Sequence, residues 1–346
     1  MTDKLVTSIY EVTKSFKDPI TNIKLDQKNK NINIVCKNGN ANISLDIDPK
    51  FQKKYQNLII ALKNSIQNIE NITSVNVILT SEKLNEQDNK QNWRFKIKSK
   101  NIIAIASGKG GVGKSTFAVN YAVALKNIGY KVGILDADIY GPSVPRMMGI
   151  SGKPQANDDN KLVPLESYGV KCMSIGFLIS VDTPAIWRGP MVMKALEQMF
   201  NGVEWGELDY LVIDLPPGTG DAQLTLAQSS KLSGSIIIST PQDVALIDAR
   251  KGINMFNKVN VPVLGIVENM SYFICDSCNQ RHEIFSNGSV KKEAEIFEID
   301  FLGEIPINKN LRILSDEGRP ACIADPKGDI ANIYSSIAAK IHQKIN

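Results

Sequence analysis

Residues 108–115 read Gly-Lys-Gly-Gly-Val-Gly-Lys-Ser, which fits the pattern Gly-x-x-x-x-Gly-Lys-Ser/Thr of a loop that wraps nucleotide phosphates. The apolar run at 102–106 has the pattern of a buried strand, and apolar residues follow the loop at helical spacing up to Gly129. Such a junction binds anions, because free N–H groups and the positive end of the helix dipole face the ligand. The bound molecule is predicted to be a nucleoside triphosphate. The residues predicted to contact its phosphates are Gly108, Gly110, Gly111, Val112, Gly113, Lys114, Ser115 and Thr116.

Beyond this loop, strand-like apolar runs alternate with helical stretches. The runs are Val132–Asp136, Lys171–Ile175, Tyr210–Asp214, Ser235–Thr240, Val263–Glu268 and Phe301–Gly303. This alternation predicts an α/β P-loop NTPase fold, a mostly parallel doubly wound sheet with helices on both faces. Ligands of such sheets bind at the carboxyl ends of the strands.

The chain before the loop has a different pattern and is predicted to form a small α/β domain over residues 1–80. Its predicted elements are strands at Asn31–Val35 and Asn42–Ile47, a turn at Asn38-Gly39, a helix at Phe51–Ile69 and a strand at Val75–Leu79. Residues 81–100 are polar and are predicted to be a linker to the P-loop domain, 101–346. Within the linker, Trp93, Phe95 and Ile97 alternate, as in an edge strand or an anchor of the linker.

Composition excludes several classes of function. The net charge of +4 accompanies many Lys, Asn and Ile residues, so it predicts no nucleic-acid partner. No stretch has the apolar length of a membrane helix, and the N-terminus lacks the core of a signal peptide. Five cysteines are an odd number, which argues against a disulfide framework. We therefore expect a cytoplasmic protein without a membrane partner.

Acidic residues at two predicted strand ends complete the nucleotide chemistry. Lys114 is expected on the β- and γ-phosphates, while the Ser115 hydroxyl and Asp214 are expected to hold Mg²⁺. Asp138 is the better candidate to orient the attacking water, and Asp136 to support the site. The alternative for Asp214 is a residue that only caps the following turn.

Lys109 is a second lysine in the loop, directly after its first glycine. It is badly placed to reach the phosphates that Lys114 holds, but it can reach those of a facing subunit in a symmetric dimer. A cation supplied in this way would stabilise transition-state charge as an arginine finger does. The alternative is a solvated lysine.

Several longer motifs resemble one known family. They are 108–115, Leu-Asp-Ala-Asp-Ile-Tyr-Gly-Pro-Ser at 135–143, Trp-Arg-Gly-Pro-Met at 187–191, Val-Ile-Asp-Leu-Pro-Pro-Gly-Thr-Gly-Asp at 212–221, Ser-Thr-Pro-Gln-Asp at 239–243 and Val-Glu-Asn-Met-Ser at 267–271. In this order they resemble the Mrp/ApbC iron–sulfur cluster carrier ATPases, within the deviant phosphate-loop group of the nitrogenase iron protein and the partition and septum-placement ATPases. The resemblance implies that Asn269 recognises adenine, and that the N-terminal unit is a metal–sulfur assembly-type domain.

Cys275-Asp276-Ser277-Cys278 is the only CxxC in the chain. An iron–sulfur cluster normally needs four ligands, so a second subunit most simply supplies the other two, giving a [4Fe–4S] cluster on the axis of a homodimer; the resemblance implies the same arrangement. A shared Cys₄ zinc site, a redox pair and a structural role remain alternatives. His282 is not assigned to the site.

The leading hypothesis is thus an ATP-dependent carrier that receives a [4Fe–4S] cluster from a donor and transfers it to apo iron–sulfur client proteins. Its ATP hydrolysis is expected to be slow. The second hypothesis is a partition or positioning ATPase, for which the C-terminal isoleucines would form a surface-binding helix instead of a core helix. A reductase that passes electrons from a bridging cluster is the third.

Overall fold

The structure is a computed structural model that describes residues 2–20, 24–25, 32–37, 40–46, 51, 54–69, 72–80, 95, 97–178, 189–285 and 288–346. The chain divides into two compact units, Met1–Gln91 and Asn92–Asn346. The predicted linker residues 81–94 and the predicted turn Asn38-Gly39 lie outside the described residues. Each unit has a hydrophobic core of its own.

The first unit packs two helices on a three-stranded sheet. Its elements are α1 (Thr2–Thr13), β1 (Ile32–Lys37), β2 (Asn40–Asp46), α2 (Gln56–Gln67) and β3 (Ser74–Thr80). β2 pairs antiparallel with β1 and parallel with β3. The apolar side of α2 buries Leu62 and Ile66, as its helical spacing predicts. Helix α1 was not predicted from the sequence.

The second unit contains the predicted α/β alternation. Its elements are β4 (Ser99–Ser107), α3 (Lys114–Asn127), β5 (Val132–Asp136), α4 (Val144–Met147), β6 (Leu165–Ser167), β7 (Val170–Ser174), α5 (Gly189–Asn201), β8 (Leu208–Asp214), α6 (Asp221–Ser229), β9 (Gly234–Ser239), α7 (Asp243–Lys258), β10 (Val263–Ile274), β11 (Arg281–His282), α8 (Ser289–Ile296), β12 (Phe301–Ile307), α9 (Lys309–Asp316), α10 (Ala321–Ala324) and α11 (Asp329–Ile345).

These strands form one nine-stranded sheet in the order β11-β10-β9-β4-β8-β5-β7-β6, with β12 also paired to β10. Its central pairs are parallel, and only the short strands β6 and β11 run antiparallel to their neighbours. The predicted α/β fold with a mostly parallel sheet is therefore confirmed. Strand β4 lies between β8 and β9, so the loop that follows β4 opens at the centre of the sheet's carboxyl edge.

The core is built from continuous apolar strands and a buried helix α3. In β4, Ile103, Ala104 and Ile105 are fully buried, as expected for a parallel strand covered on both faces. Helix α3 packs against α11, where the rings of Phe117 and Tyr334 lie 5.6 Å apart. Phe95 is buried as well and stacks on Phe200 with ring centroids 4.5 Å apart.

Helix α11 buries Ile337 and Ile341 against this core. Its two lysines are tied to the same unit, since Lys340 Nζ donates to the Leu302 carbonyl at 3.0 Å and Lys344 Nζ lies 2.6 Å from Asp300 Oδ2. The isoleucine spacing thus belongs to a core helix. Among the described residues, no helix combines the length and apolar character needed to cross a bilayer.

Candidate nucleotide site and cysteine hairpin

The phosphate loop connects β4 to α3 and depends on glycine at particular positions. Gly111 and Gly113 have φ values of +79° and +83°, where an L side chain is strained. A Cβ on Gly113 would also overlap the Asn269 amide nitrogen, and a Cβ on Gly108 would overlap the Asp248 backbone in α7. The loop is therefore fixed by its own backbone and by close contact with two other elements.

Lys114, in the first turn of α3, is buried in a group of acids at the sheet edge. Its Nζ lies 2.5 Å from Asp214 Oδ1 and 3.7 Å from Asp138 Oδ2. It also donates to the Ser115 hydroxyl at 3.3 Å. The second oxygen of Asp214, Oδ2, is buried and has no hydrogen-bond partner among the described residues. One oxygen of this carboxylate is therefore paired with the lysine and the other is unpaired.

Asp136 and Asp214 lie side by side because β5 and β8 pair in parallel with these two residues in register. Asp136 accepts hydrogen bonds from the Ser174 hydroxyl at 3.0 Å and from the backbone N–H groups of Ser143 and Val144 at 3.1 Å. Burial, and then the charge of Asp214, raises the pKa of Asp136 to about 7.

Asp138 is less enclosed than Asp136 and faces the phosphate loop. Burial raises the pKa of its carboxyl, and the Lys114 charge opposes that rise. Its backbone N–H donates to Asp136 Oδ1 at 3.2 Å. Asp136 thus holds the turn that carries Asp138.

Asn269 lies in β10, just before the pairing of this strand with β12 shifts its register, and contacts the phosphate loop directly. Its Nδ2 donates to the Val112 carbonyl at 2.7 Å, and the residue is 7% exposed. The next residue, Met270, has a left-handed backbone with φ of +55°. From the sequence, Asn269 is expected to contact adenine, but its bond to the loop was not predicted.

Two cavities flank Asp138. One of about 190 Å³ is formed by the phosphate loop and includes Lys109, Lys114, Ser115, Thr116, Ser143, Met147 and Pro217. A larger cleft of about 760 Å³ also contains Asp138 and Pro217 in its wall, with Tyr140, Met193 and Gln223. Ser143 and Pro217 were missed as site residues, although both lie within the motifs at 135–143 and 212–221. Their place in the cavity walls becomes evident only when the fold brings those two loops to the carboxyl edge of the sheet.

The cysteine pair lies at the tip of the hairpin formed by the end of β10 and β11. β10 pairs antiparallel with β11 through Phe273–His282 and Ile274–Arg281, and the Cys275 N–H donates to the Gln280 carbonyl at 3.0 Å. The predicted strand Val263–Glu268 is therefore too short. The polar residues Asn269 and Ser271 interrupt the apolar run, so the sequence pattern does not show that the strand continues to Ile274.

The two thiols of this hairpin are the accessible ones among five. Cys275 is half-buried and Cys278 is exposed, whereas Cys36, Cys172 and Cys322 are buried. Backbone N–H groups of Ser277 and Cys278 lower the pKa of the Cys275 thiol. In the part of the chain that the structure describes, no group of three or more His, Cys, Asp or Glu side chains could hold a metal ion.

The structure thus brings the phosphate loop, Asp136, Asp138, Asp214 and Asn269 together at one edge of the sheet. Cys275 lines a different cavity, of about 440 Å³, with residues of the β12–α9 connection. Residues 179–188, which include the predicted motif residues Trp187 and Arg188, lie outside the described residues.

The family model that matches this chain covers most of the second unit. The family described as ParA, NUBPL iron-transfer P-loop NTPase, matches residues 98–342. The chain is 55% identical over 243 residues to the iron–sulfur protein required for NADH dehydrogenase, mitochondrial, of Arabidopsis thaliana, covering 70% of this chain and 78% of that one. It is 52% identical over 248 residues to an iron–sulfur cluster carrier protein of Aquifex aeolicus, covering 71% and 68%.

Among solved structures, a nucleotide-binding protein from Archaeoglobus fulgidus in complex with ADP is similar to this chain. The two share 42% sequence identity with a TM-score of 0.60, over 68% of this chain and 93% of that chain.

Proposed function

The chain belongs to the NUBPL iron-transfer family of P-loop NTPases, and on this premise we propose that it is an ATPase that carries a [4Fe–4S] cluster, held between two copies of the chain, to apo-proteins. The observation that carries the proposal is the hairpin of Cys275 and Cys278, which continues the same strand whose Asn269 touches the phosphate loop. The nucleotide and the cargo would thus contact the same hairpin, at Asn269 in β10 and at the cysteines in the turn that follows β10.

Residues at the sheet edge suit a nucleoside triphosphate. The loop N–H groups and the amino end of α3 favour its phosphates, and Lys114 has acidic partners from which it can turn to them. Ser115 and Asp214 would hold Mg²⁺, an ion that prefers oxygen ligands; the unpaired Oδ2 of Asp214 fits this role. Mg²⁺ would neutralise charge on the phosphates.

The acids and Lys109 have separate roles in hydrolysis. Asp138, with its raised pKa and its place between the two cavities, would orient the attacking water. Asp136 would hold the Asp138 turn through its bonds to backbone N–H groups. Lys109 lines the phosphate cavity and would act on the nucleotide of the partner subunit. Asn269 would recognise adenine while it is bonded to Val112.

The cysteine hairpin would bind the cluster as cargo. A cluster edge is bound by thiolates, and the lowered pKa of the Cys275 thiol favours that form. Because two cysteines give half of the four ligands, two copies of the hairpin would complete the site in a homodimer. The clients would be apo-proteins with vacant cluster sites, and a separate donor would load the carrier. A cytoplasmic location remains the prediction of the sequence.

A partition-type function has less support. It would need an exposed basic surface on α11, but the ammonium groups of Lys340 and Lys344 bond to the Leu302 carbonyl and Asp300. These contacts favour a helix that closes the core over one that binds an anionic surface.

Anaerobic reconstitution with iron and sulfide tests the proposal. We expect about four irons per two chains, a [4Fe–4S] Mössbauer signature, and loss of both in the Cys275→Ala/Cys278→Ala variant. Cys322→Ala is the matched control, since Cys322 is a buried residue of α10, outside the hairpin, and burial raises the pKa of its thiol to about 12. A protein that takes up only zinc, or that keeps its iron in the double variant, would refute cluster carriage at this hairpin.

A further inference from the structure

The segment 268–271 joins the nucleotide site to the cysteine hairpin. On one side, Asn269 is bonded to the phosphate loop through Val112, and the Met270 side chain approaches the same loop at Gly113. On the other side, β10 continues to Ile274 and directly into Cys275. Between them Met270 has a left-handed backbone, and the pairing of β10 with β12 shifts its register after Asn269. The segment is therefore an irregular bend in β10 between the two sites.

Glu268 is the buried carboxylate at the start of this bend. It is fully buried in the sheet, where an unpaired carboxylate would be costly. One oxygen accepts from the Ser271 hydroxyl, and the other accepts from the Val290 N–H at 3.1 Å. An acid at the amino end of a helix is also favoured by the helix dipole.

The two partners of Glu268 lie on opposite sides of the cysteines in the chain. Ser271 precedes Cys275, and Val290 lies in the first turn of α8, the helix that follows the hairpin. A single carboxylate therefore holds both ends of the segment that carries the two thiols. It does so from the residue next to Asn269, which contacts the phosphate loop.

We propose that Glu268 is a positioning residue that fixes both ends of the cysteine hairpin against the phosphate loop, so that nucleotide at Asn269 changes the exposure of Cys275 and Cys278. The proposal rests on the function proposed above and adds the connection between its two sites. Nucleotide that contacts Asn269 would displace the bend at 268–271. Glu268, which is bonded to both ends of the hairpin segment, would transmit this displacement to the cysteines.

The alkylation rate of Cys275 and Cys278 in the apo-protein tests this connection without any cluster. Iodoacetamide labelling is followed by mass spectrometry, with and without Mg²⁺ and a non-hydrolysable ATP analogue. The other three cysteines are buried, which keeps the background low. We expect the analogue to change the wild-type rate about fivefold or more, the lower range of coupling between sites.

The variants separate positioning from general damage. Glu268→Met keeps the volume but removes both acceptors, so the response to nucleotide should disappear while the analogue still binds. Glu268→Gln keeps an acceptor for Val290 and can donate to the Ser271 oxygen, so it should retain the response. Glu293→Met is the matched control, because Glu293 is a buried acid on α8 that pairs with Arg250 and not with this bend.

Ser271→Ala provides a second route if Glu268→Met does not fold, since it removes one donor and should weaken the response. The inference is overturned if the wild-type thiols react equally with and without the analogue, or if Glu268→Met and Ser271→Ala respond as the wild type does. Iron loading is measured separately. A chain that binds no cluster but whose thiols respond to nucleotide refutes the carrier function alone. A chain that binds the cluster but whose thiols do not respond to nucleotide refutes the proposed connection between the two sites alone.

Discussion

Gly113 is the position where the packing around the phosphate loop can be tested most directly, by Gly113→Ala in the apo-protein. The new Cβ meets two obstacles: the backbone has φ of +83°, and the Asn269 amide occupies the space that the methyl group needs. A left-handed backbone costs an alanine about 1–2 kcal/mol. Displacing Asn269 from the buried Val112 carbonyl costs about 1–3 kcal/mol more. We therefore expect unfolding free energy to fall by roughly 2–5 kcal/mol.

Gly111→Ala is the matched control, because Gly111 has φ of +79° but no atom near the position of its Cβ. It should lose only the backbone contribution, about 1–2 kcal/mol. Urea unfolding gives both values from the midpoint and slope of the transition of the second unit.

A double-mutant cycle with Asn269→Ala isolates the contact itself. Because Asn269→Ala removes the obstructing amide, Gly113→Ala should cost about 1–3 kcal/mol less in that background than in the wild type. The cost of Gly111→Ala should be the same in both backgrounds. Equal costs for Gly113→Ala with and without Asn269 would show that the asparagine does not restrict the loop, and the reasoning would fail.

The remaining predictions concern hydrolysis and pH. Lys109→Ala should lower the turnover of ATP about a thousandfold, with little effect on the affinity for ATP. Mixing this variant with Lys114→Ala should restore activity, because a mixed dimer contains one complete site. Phosphate release measures both effects, and unchanged turnover in Lys109→Ala would show that Lys109 is only a solvated side chain. The raised pKa of Asp136, about 7 against an ordinary 3.8, means that the folded protein binds more protons than the unfolded chain between these values. Asp136 should therefore make stability fall as pH rises from about 4 to about 7, by at most about 1.4 kcal/mol per pH unit. Asp136→Asn should remove that part of the slope in urea titrations, and identical slopes in both proteins would contradict the assigned cause.

The sequence predicted the central part of the second unit well because parallel strands buried on both faces are continuous apolar runs. Strand β5 has the predicted bounds Val132–Asp136. The sequence did not predict strands that are held by backbone pairing with a neighbouring strand and not by an apolar run. Strand β6 has three residues at the sheet edge, and β10 continues past Glu268 through pairing with β12 and β11.

The candidate site shows the same division. The residue types and their places at strand ends were readable, since the loop and the acidic strand ends have local signatures. Their mutual contacts were not readable, because strand order and register bring them together. The register of β5 with β8 sets Asp136 beside Asp214, and Lys114 pairs with Asp214 across a separation of one hundred residues in sequence.

That register also has a consequence for how the protein exchanges protons with solvent. Lys114 now offsets the charge of two adjacent carboxylates, and its field lowers the pKa of Asp136 from what burial alone would give. A nucleotide that drew the lysine to its phosphates would leave the two acids with a deficit of positive charge. Either a proton taken up at Asp136 or a divalent cation held at Asp214 would compensate the negative charge of the two acids. Nucleotide affinity should therefore rise on acidification when Mg²⁺ is scarce, and lose that pH dependence when Mg²⁺ is abundant.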